Sequence, residues 1–252
     1  MTHLDMELMS SAQIAAAGAD PTTIGLITTG AMEQHGPHLP VSTDTALARA
    51  VRIGIAEAMP VPVLTTPTIA VGVSDLHLPS PGTIAVPEPV FEALVLCHIE
   101  SLAEAGIRRI ALVDCNAPNV LVTERAAAQA AAKYPDVSIV VYDDLAALMA
   151  ALWSGADPGA GEGPDHAGRL ETSVMLNLLG AEYVAPFDHL QGFTDFAEEG
   201  WWDRMLRDGI HALSDNGVIG TPAGASATEG GRMVAALVAE CCRWLSKEFG
   251  VE

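Results

Sequence analysis

"RRIALVDC", residues 108 to 115, is the stretch that decides the fold class. Its apolar side chains form one continuous run, which is typical of a strand buried on both faces inside a parallel sheet. A second run of this kind, "TTIGLITTG" (22–30), ends at a glycine. Ala-rich segments with helical periodicity lie between such runs. This alternation predicts a three-layer α/β/α domain with a mostly parallel central sheet and functional residues at the carboxyl ends of its strands.

Capping and breaking residues predict where the other elements begin and end. The first long helix is predicted over residues 42–59, with Ser42 as its N-cap and Asp44 in its first turn. Further helices are predicted over residues 87–106, 119–135, 166–180 and 231–249, and further strands within 61–72 and over 137–143. A Gly- and Pro-rich loop is predicted over 154–165, and the stretch 181–230 is predicted to be irregular.

Composition and charge exclude several classes of partner. With 32 acidic and 12 basic residues the formal charge is -20, so neither nucleic acid nor an anionic membrane surface is an expected partner. The four cysteines form no CxxC pair, and neither a signal peptide nor a membrane-spanning run is recognisable. We therefore expect a soluble cytoplasmic protein. Because neither a repeat nor a long linker interrupts the chain, we expect one domain over residues 1–252.

The segment after the first strand, "GAMEQHGPHLPVSTD" (30–44), concentrates metal-ligand side chains in a chain that is otherwise poor in charge. Glu33 and His35 are two residues apart, which puts both side chains on one face of an extended segment. Asp44 lies close by at the predicted helix start. Mixed carboxylate and imidazole ligands suit Zn²⁺, Mn²⁺ or Fe²⁺. Taken alone, this pattern is a weak motif, and a solvated polar loop that caps a helix is the simpler interpretation.

Two later segments carry candidate functional histidines. In "GPDHAGRLETSVML" (163–176), His166 lies at a predicted helix start and Glu171 follows five residues later. This spacing exceeds that of same-face helix neighbours, so one residue could be a ligand and the other an acid/base group. In "SDLHLPSPGTIAVP" (74–87), His77 precedes a Pro-Gly-Thr turn and could face a cleft. The simpler interpretations are a surface histidine at a helix start and an ordinary loop residue.

Together these segments resemble the creatininase (creatinine amidohydrolase) family. The resemblance is carried by "GAMEQHGPHLPVSTD" (30–44), by "HLPSPGT" (77–83) and by "HAGRLETS" (166–173). A later segment, "GVIGTPAGASATEGGR" (217–232), also corresponds to a family motif. Ser80 takes the place of the family's aromatic residue in the second motif. The motifs follow one another in the family's order and span most of the chain.

The resemblance implies a divalent-metal amidohydrolase with an α/β fold and hexameric assembly. By analogy Glu33, His35, Asp44 and Glu171 would be metal ligands, with Asp44 bridging wherever two metals bind. His166 would serve the proton transfers. The implied cofactor is a divalent metal, zinc in the first place with manganese or iron as alternatives, at one or two per subunit. The implied partners are a small-molecule substrate and further copies of the chain.

One motif departs from the family pattern. After the central strand the family carries an N-G-H motif whose histidine is a metal ligand, whereas this chain reads "DCNAPN" (114–119) with Asn116 at that place. A neutral amide oxygen binds zinc much more weakly than imidazole does. Pro118 replaces a ligand glutamate of creatininase itself, which argues against creatinine as the substrate. Cys115 could add a soft ligand or a nucleophile, or could be a small buried side chain.

We therefore expect a metal-dependent amidohydrolase that cleaves a non-peptide C–N bond in a small cyclic or formyl-type amide other than creatinine. Asn116, His77 and Cys115 are candidates for weakened ligands or substrate contacts. Trp201 and Trp202 are candidates for a substrate lid, or for ordinary packing. The alternatives are a lyase- or isomerase-type reaction with one metal or none, and a non-catalytic ligand-binding subunit. The nearly intact motifs argue against the last of these.

Overall fold

The computed structural model describes residues 3–158 and 163–251. Its central sheet has five strands, β1 (His3–Asp5), β2 (Ile24–Thr29), β3 (Val63–Thr65), β4 (Arg109–Asp114) and β5 (Ser138–Val141). The strand order is β1-β3-β2-β4-β5, and every pair in it is parallel. The prediction of a parallel central sheet is confirmed, with the two longest strands, β2 and β4, side by side near its middle.

Eight α-helices accompany the sheet within the described ranges. They are α1 (Ser11–Gly18), α2 (Thr43–Ala58), α3 (Glu88–Glu104), α4 (Val120–Lys133), α5 (Leu145–Ser154), α6 (Arg169–Leu178), α7 (Trp201–Asp208) and α8 (Ala227–Phe249). None of the described helices combines the length and the apolar character needed to cross a membrane.

The side chains of β4 show why its apolar run is continuous. Ile110 and Leu112 belong to a buried cluster formed with α3 and α4. Ala111 and Val113 belong to a second buried cluster, formed with α2, α5, α6 and α8 on the opposite face. Because successive strand residues point to opposite faces, a strand covered on both sides needs apolar residues at every position. The two clusters make the domain three-layered, as predicted.

Three helices lie where none was predicted. Helices α1 and α5 cover residues that the sequence patterns left unassigned, and α7 falls inside the stretch predicted to be irregular. Helix α7 has only eight residues, is rich in charge and buries only Met205, so it lacks the apolar content of the predicted helices. The predicted loop over 154–165 lies partly on residues 159–162, which are outside the described residues.

Two helix starts differ slightly from the predictions. Helix α6 begins at Arg169 rather than at residue 166, because His166 pairs with Ile219 through two backbone hydrogen bonds of 3.0 and 2.8 Å. Helix α2 begins at Thr43 with Ser42 at the N-cap position, although the Ser42 side chain makes no capping hydrogen bond. The loops that leave β2, β3 and β4 and the start of α6 meet at the carboxyl edge of the sheet, where ligands bind in open parallel sheets.

Candidate metal centre

A cavity of about 740 Å³ opens at this edge of the sheet. Seven side chains with acid or imidazole groups line it, namely Glu33, Asp44, His77, Asp114, Asp165, His166 and Glu171. His35 lies beside them and is fully buried. The structure thus brings together the candidate residues from the loop after β2, from the first turn of α2, from the loop after β3 and from the start of α6.

The imidazole of His35 faces two carboxylates. Its Nε2 atom lies 3.2 Å from Asp44 Oδ1 and 3.4 Å from Glu171 Oε2. Its Nδ1 atom lies 3.1 Å from the backbone oxygen of Glu33, which can only accept, so Nδ1 carries a proton. In a neutral ring, Nε2 therefore presents a lone pair to two carboxylate oxygens. Three acceptors converge without a donor, and only a cation or an added proton relieves their repulsion.

The spacing and chemistry of these atoms fit a divalent metal. Zinc bonds of about 2.0–2.2 Å in tetrahedral geometry separate neighbouring donor atoms by about 3.3 Å. This is close to the distances of 3.2 and 3.4 Å from His35 Nε2 to Asp44 Oδ1 and Glu171 Oε2. Ligand atoms of Glu33, His35 and Asp44 also lie within 4.8 Å of one another. Glu33 Oε2 and Asp44 Oδ2 are buried without a hydrogen-bond partner among the described residues. Because an unpaired buried carboxylate oxygen is costly, both atoms are suited to a bound cation.

Without a metal, the site holds protons. Burial opposes a charge on His35, but the carboxylates of Asp44 and Glu171 raise the pKa of His35 well above its ordinary value. Burial also raises the pKa of Asp44 to about 7, against the effect of His35. Burial acts in the same direction on Glu171, but the positive His35 lowers the pKa of Glu171 to about 2. A proton therefore resides among these groups at neutral pH, in the place that suits a metal.

His166 is stacked between two other imidazoles. Its ring centroid lies 4.2 Å from that of His35 and 4.6 Å from that of His77. His166 Nε2 lies 2.8 Å from the backbone oxygen of Gln34 and must donate to it, which leaves Nδ1 free to accept a proton. Burial and the neighbouring histidines lower the pKa of His166 to about 3, so the ring is neutral at pH 7. Nδ1 can therefore act as a base.

The two candidates at the end of β4 also line the cavity. The amide nitrogen of Asn116 donates to Val73 O and to Asn119 Oδ1, both at 3.3 Å, so it ties the strand end to the loop after β3. Burial raises the pKa of the Cys115 thiol well above its ordinary value, which keeps it protonated and weakly nucleophilic. Within residues 3–158 and 163–251, none of the groups suited to a metal includes Cys115.

The upper walls of the cavity are apolar and come from two of the unpredicted helices. Helix α5 contributes Leu145, Leu148, Met149, Leu152 and Trp153, and helix α7 contributes Trp201, Trp202 and Met205. Trp201 packs against Phe193 and Phe196 with centroid distances of 5.8 and 5.6 Å. Trp202 is 49% exposed. Both predicted lid residues therefore lie on the cavity wall, one anchored in an aromatic cluster and the other facing outward.

Two residues of the site were missed by the sequence reasoning. Asp165 accepts hydrogen bonds from the backbone of Gly168 at 3.2 Å and of Glu171 at 3.3 Å, which stabilises the start of α6 below the cavity. Burial and the charge of Glu171 raise the pKa of Asp165 to about 8. An acid just before a helix start was a usable signal. Gln34 contacts two of the histidines. In the sequence it lies between the candidate ligands Glu33 and His35, but its neutral amide gave no signal of a functional role.

The fold and the site define a class of protein: a parallel α/β protein with acid and imidazole groups suited to a metal at the carboxyl edge of its sheet. The family model "Creatininase: Creatinine amidohydrolase" matches residues 7–245. A Mycobacterium tuberculosis protein named mycofactocin precursor peptide peptidase is 31% identical over an alignment of 268 residues. This alignment covers 97% of this chain and 94% of the relative. A protein of that name from Mycolicibacterium smegmatis is 31% identical over 240 residues, covering 90% and 87%.

Solved structures share the fold. One titled "Creatininase Mn" superimposes with a TM-score of 0.76 at 21% identity, covering 98% of this chain and 99% of that one. Another, a creatinine amidohydrolase (creatininase), gives a TM-score of 0.77 at 21% identity, covering 99% of each chain. The chain belongs to the creatininase family, as its motifs led us to expect, and is a hydrolase-like member of it.

Proposed function

We propose that this protein is a divalent-metal-dependent amidohydrolase that cleaves an amide bond in a peptide. The observation that carries the proposal is the convergence of His35 Nε2, Asp44 Oδ1 and Glu171 Oε2, which needs either a proton on the ring or a cation. The relatives named as peptidases favour a peptide substrate. They give no support to our expectation of a non-peptide C–N bond in a small cyclic or formyl amide, so a peptide bond replaces it in the proposal.

His35, Asp44 and Glu171 would hold the metal, with Glu33 as a further ligand beside Asp44. A bound divalent cation lowers the pKa of a water molecule towards neutrality and polarises the scissile carbonyl group. Zinc remains our first choice, with manganese as an alternative. Both metals are represented among the structural relatives, in titles that read "Creatininase Mn" and "Zn-Zn type".

His166 would carry out the proton transfers at Nδ1. Its Nε2–H is committed to the Gln34 carbonyl, so the ring cannot present its other nitrogen without losing that hydrogen bond. A neutral imidazole with a free lone pair accepts a proton from the attacking water and delivers it to the leaving amine. The stacking against His35 and His77 restricts the tilt of the ring, which keeps the lone pair oriented.

The walls of the cavity suit a peptide with a bulky apolar side chain near the scissile bond. Helices α5 and α7 line the cavity with leucine, methionine and tryptophan side chains above an acidic floor. An apolar group enclosed there would be removed from water, at roughly 25 cal/mol per Å² of area buried. Trp201 and Trp202 would cover it, in keeping with their expected role as a lid.

The test combines metal content with product analysis. Protein purified without added metal or chelator should contain at least about one equivalent of divalent metal, or should take it up on reconstitution. Peptides with apolar residues should then gain the mass of one water on cleavage. His166→Asn should keep the metal and lose roughly 10²–10⁴-fold in turnover. A lyase or isomerase would yield products without the added water, and a protein that binds no metal would overturn the proposal.

The proposal includes assembly into a homo-oligomer, with a hexamer as the expected form. Large apolar side chains stand exposed on adjacent helices, including Val90 near the start of α3 at 56% and Leu121 on α4 at 68%. Such side chains are often covered in an interface between subunits. Light scattering would measure the particle mass against the 26.2 kDa of one chain. A particle of one chain's mass would overturn this part of the proposal.

A further inference from the structure

We propose that His77 orients Glu33 as a metal ligand through a hydrogen-bond relay, Gln34 to His77 to Glu33, and does not bind the metal itself. The inference rests on the metal centre of the proposed function. It assigns a positioning role to a histidine that the sequence left undecided between ligand and substrate contact. The first member of the relay, Gln34, has its side chain enclosed among backbone groups.

Two backbone groups determine which way the Gln34 amide points. The N–H of Gly36 donates to Gln34 Oε1 at 2.9 Å. The carbonyl oxygen of Gly217 lies 3.2 Å from Gln34 Nε2 and can only accept. If the amide were reversed, an N–H would face an N–H and an oxygen would face an oxygen. The amide nitrogen is therefore directed towards Gly217, independently of any histidine.

The orientation of Gln34 determines the tautomer of His77. Gln34 Nε2 lies 3.1 Å from His77 Nδ1 and 2.9 Å from His166 Nε2. Because His166 Nε2 already donates to the Gln34 carbonyl, it cannot accept, and the second N–H of Gln34 donates to His77 Nδ1. A neutral imidazole that accepts at Nδ1 carries its proton at Nε2. His77 Nε2 lies 3.0 Å from Glu33 Oε1 and donates to it. The nitrogen of His77 that faces the acidic cluster is thus a donor without a lone pair to offer a metal.

The relay leaves one oxygen of Glu33 available. Oε1 is held by His77, whereas Oε2 is buried and has no hydrogen-bond partner among the described residues. Glu33 is only 2% exposed, and its ligand atom lies within 4.8 Å of those of His35 and Asp44. A carboxylate held by one oxygen presents the other in a defined direction. Hydrogen-bonded partners of this kind orient metal ligands, and their loss costs about 10–100-fold in metal affinity.

The relay also concerns the metal position affected by Asn116, which replaces the family's metal-binding histidine. The sequence predicts a weakened metal position at Glu33, because Asn116 stands where the family has an imidazole ligand. His77 comes from the loop after β3 and lies against the same glutamate. It strengthens that position without adding a ligand, since a carboxylate held in place loses less entropy when it binds a cation.

The experiment measures metal affinity in His77→Leu and His77→Gln. The metal-free proteins would be titrated with Mn²⁺ and with Zn²⁺, with His98→Leu as a matched substitution away from the cavity. The leucine variant should bind metal about 10–100-fold more weakly than wild type. If wild type binds two metal ions per chain, this weakening should be confined to one of them. The glutamine variant keeps an N–H donor and should recover part of the loss. His98→Leu should match wild type.

A second variant reaches the relay without altering His77. Gln34→Leu removes the N–H donor beside His77 Nδ1, so the ring proton is no longer confined to the nitrogen that faces Glu33. The metal affinity of this variant should fall in the same direction as that of His77→Leu. The melting temperature of each metal-free variant would show whether it is folded, and Gln34→Leu keeps the inference testable if His77→Leu does not fold.

The outcomes separate this inference from the proposed function. If wild type binds no metal, the proposed function fails, and the inference fails with it. If wild type binds metal and both His77 variants bind it equally well, only the inference is overturned. X-ray absorption of the zinc-loaded proteins counts the bound imidazoles. An equal count in wild type and His77→Gln is expected, whereas the loss of one imidazole in the variant would make His77 a ligand and refute the relay.

Discussion

Metal binding to this protein should release protons, and the extent follows from the arrangement around His35. In the metal-free protein, the carboxylates of Asp44 and Glu171 raise the pKa of His35 well above its ordinary value despite its burial. The ring is therefore protonated at neutral pH and must lose that proton to bind a cation. Displacing about one proton weakens apparent affinity roughly tenfold for each unit by which the pH falls.

The expected loss between about pH 8 and about pH 6 is therefore roughly 100-fold, or about 2.7 kcal/mol. Burial raises the pKa of Asp44 to about 7, so below that pH a second proton competes with the cation and the dependence steepens. Calorimetric titration of the metal-free protein in two buffers of different ionisation enthalpy would count the protons directly. Glu171→Gln removes one carboxylate that favours the charged ring, and should reduce the number released.

The reasoning would be refuted by an affinity that does not change with pH and by a titration that releases no protons. Either result would mean that His35 is neutral in the metal-free protein. The two carboxylates would then be kept from the imidazole lone pair by some other donor, and the convergence of three acceptors would not describe a metal site.

Three further predictions concern other parts of the molecule. Burial raises the pKa of Asp114 to about 6, so the folded state binds the proton more tightly than the unfolded state does. The free energy of unfolding should therefore fall by roughly 2 kcal/mol as the pH rises from about 4 to about 6. Asp114→Asn should remove this dependence, and urea unfolding at both pH values would detect a persisting slope. Trp202→Ala should raise KM for an apolar peptide about tenfold and leave kcat nearly unchanged, and steady-state kinetics would reveal the reverse pattern if the tryptophan served only the chemical step. Asn116→His adds an imidazole at the cavity and should tighten zinc binding by about tenfold or more, so an unchanged dissociation constant would place residue 116 out of reach of the metal.

The sequence alone predicted four of the five strands and five of the eight helices of the described residues. The apolar runs in β2 and β4 identify strands covered on both faces, because both faces of such a strand lie against helices. The helix with Asp44 in its first turn was likewise predictable from local caps and periodicity. Helices α1, α5 and α7 were not predicted, although Asp144 caps the start of α5 and was a usable signal. Helix α7 is short and charged. Helices α5 and α7 supply the apolar walls and therefore most of what bears on the choice of substrate.

The sequence by itself also indicated that Glu33, His35 and Asp44 belong to one site, because their spacing is local to one loop and one helix start. Only the tertiary structure decided which other groups each of them faces. Glu171 meets His35 because α6 begins at the same edge of the sheet, more than a hundred residues further along the chain. The tautomers of His77 and His166 depend on the positions of backbone carbonyl groups that are distant in sequence. Hydrogen-bond roles follow from such neighbours, and no local pattern of residues specifies them.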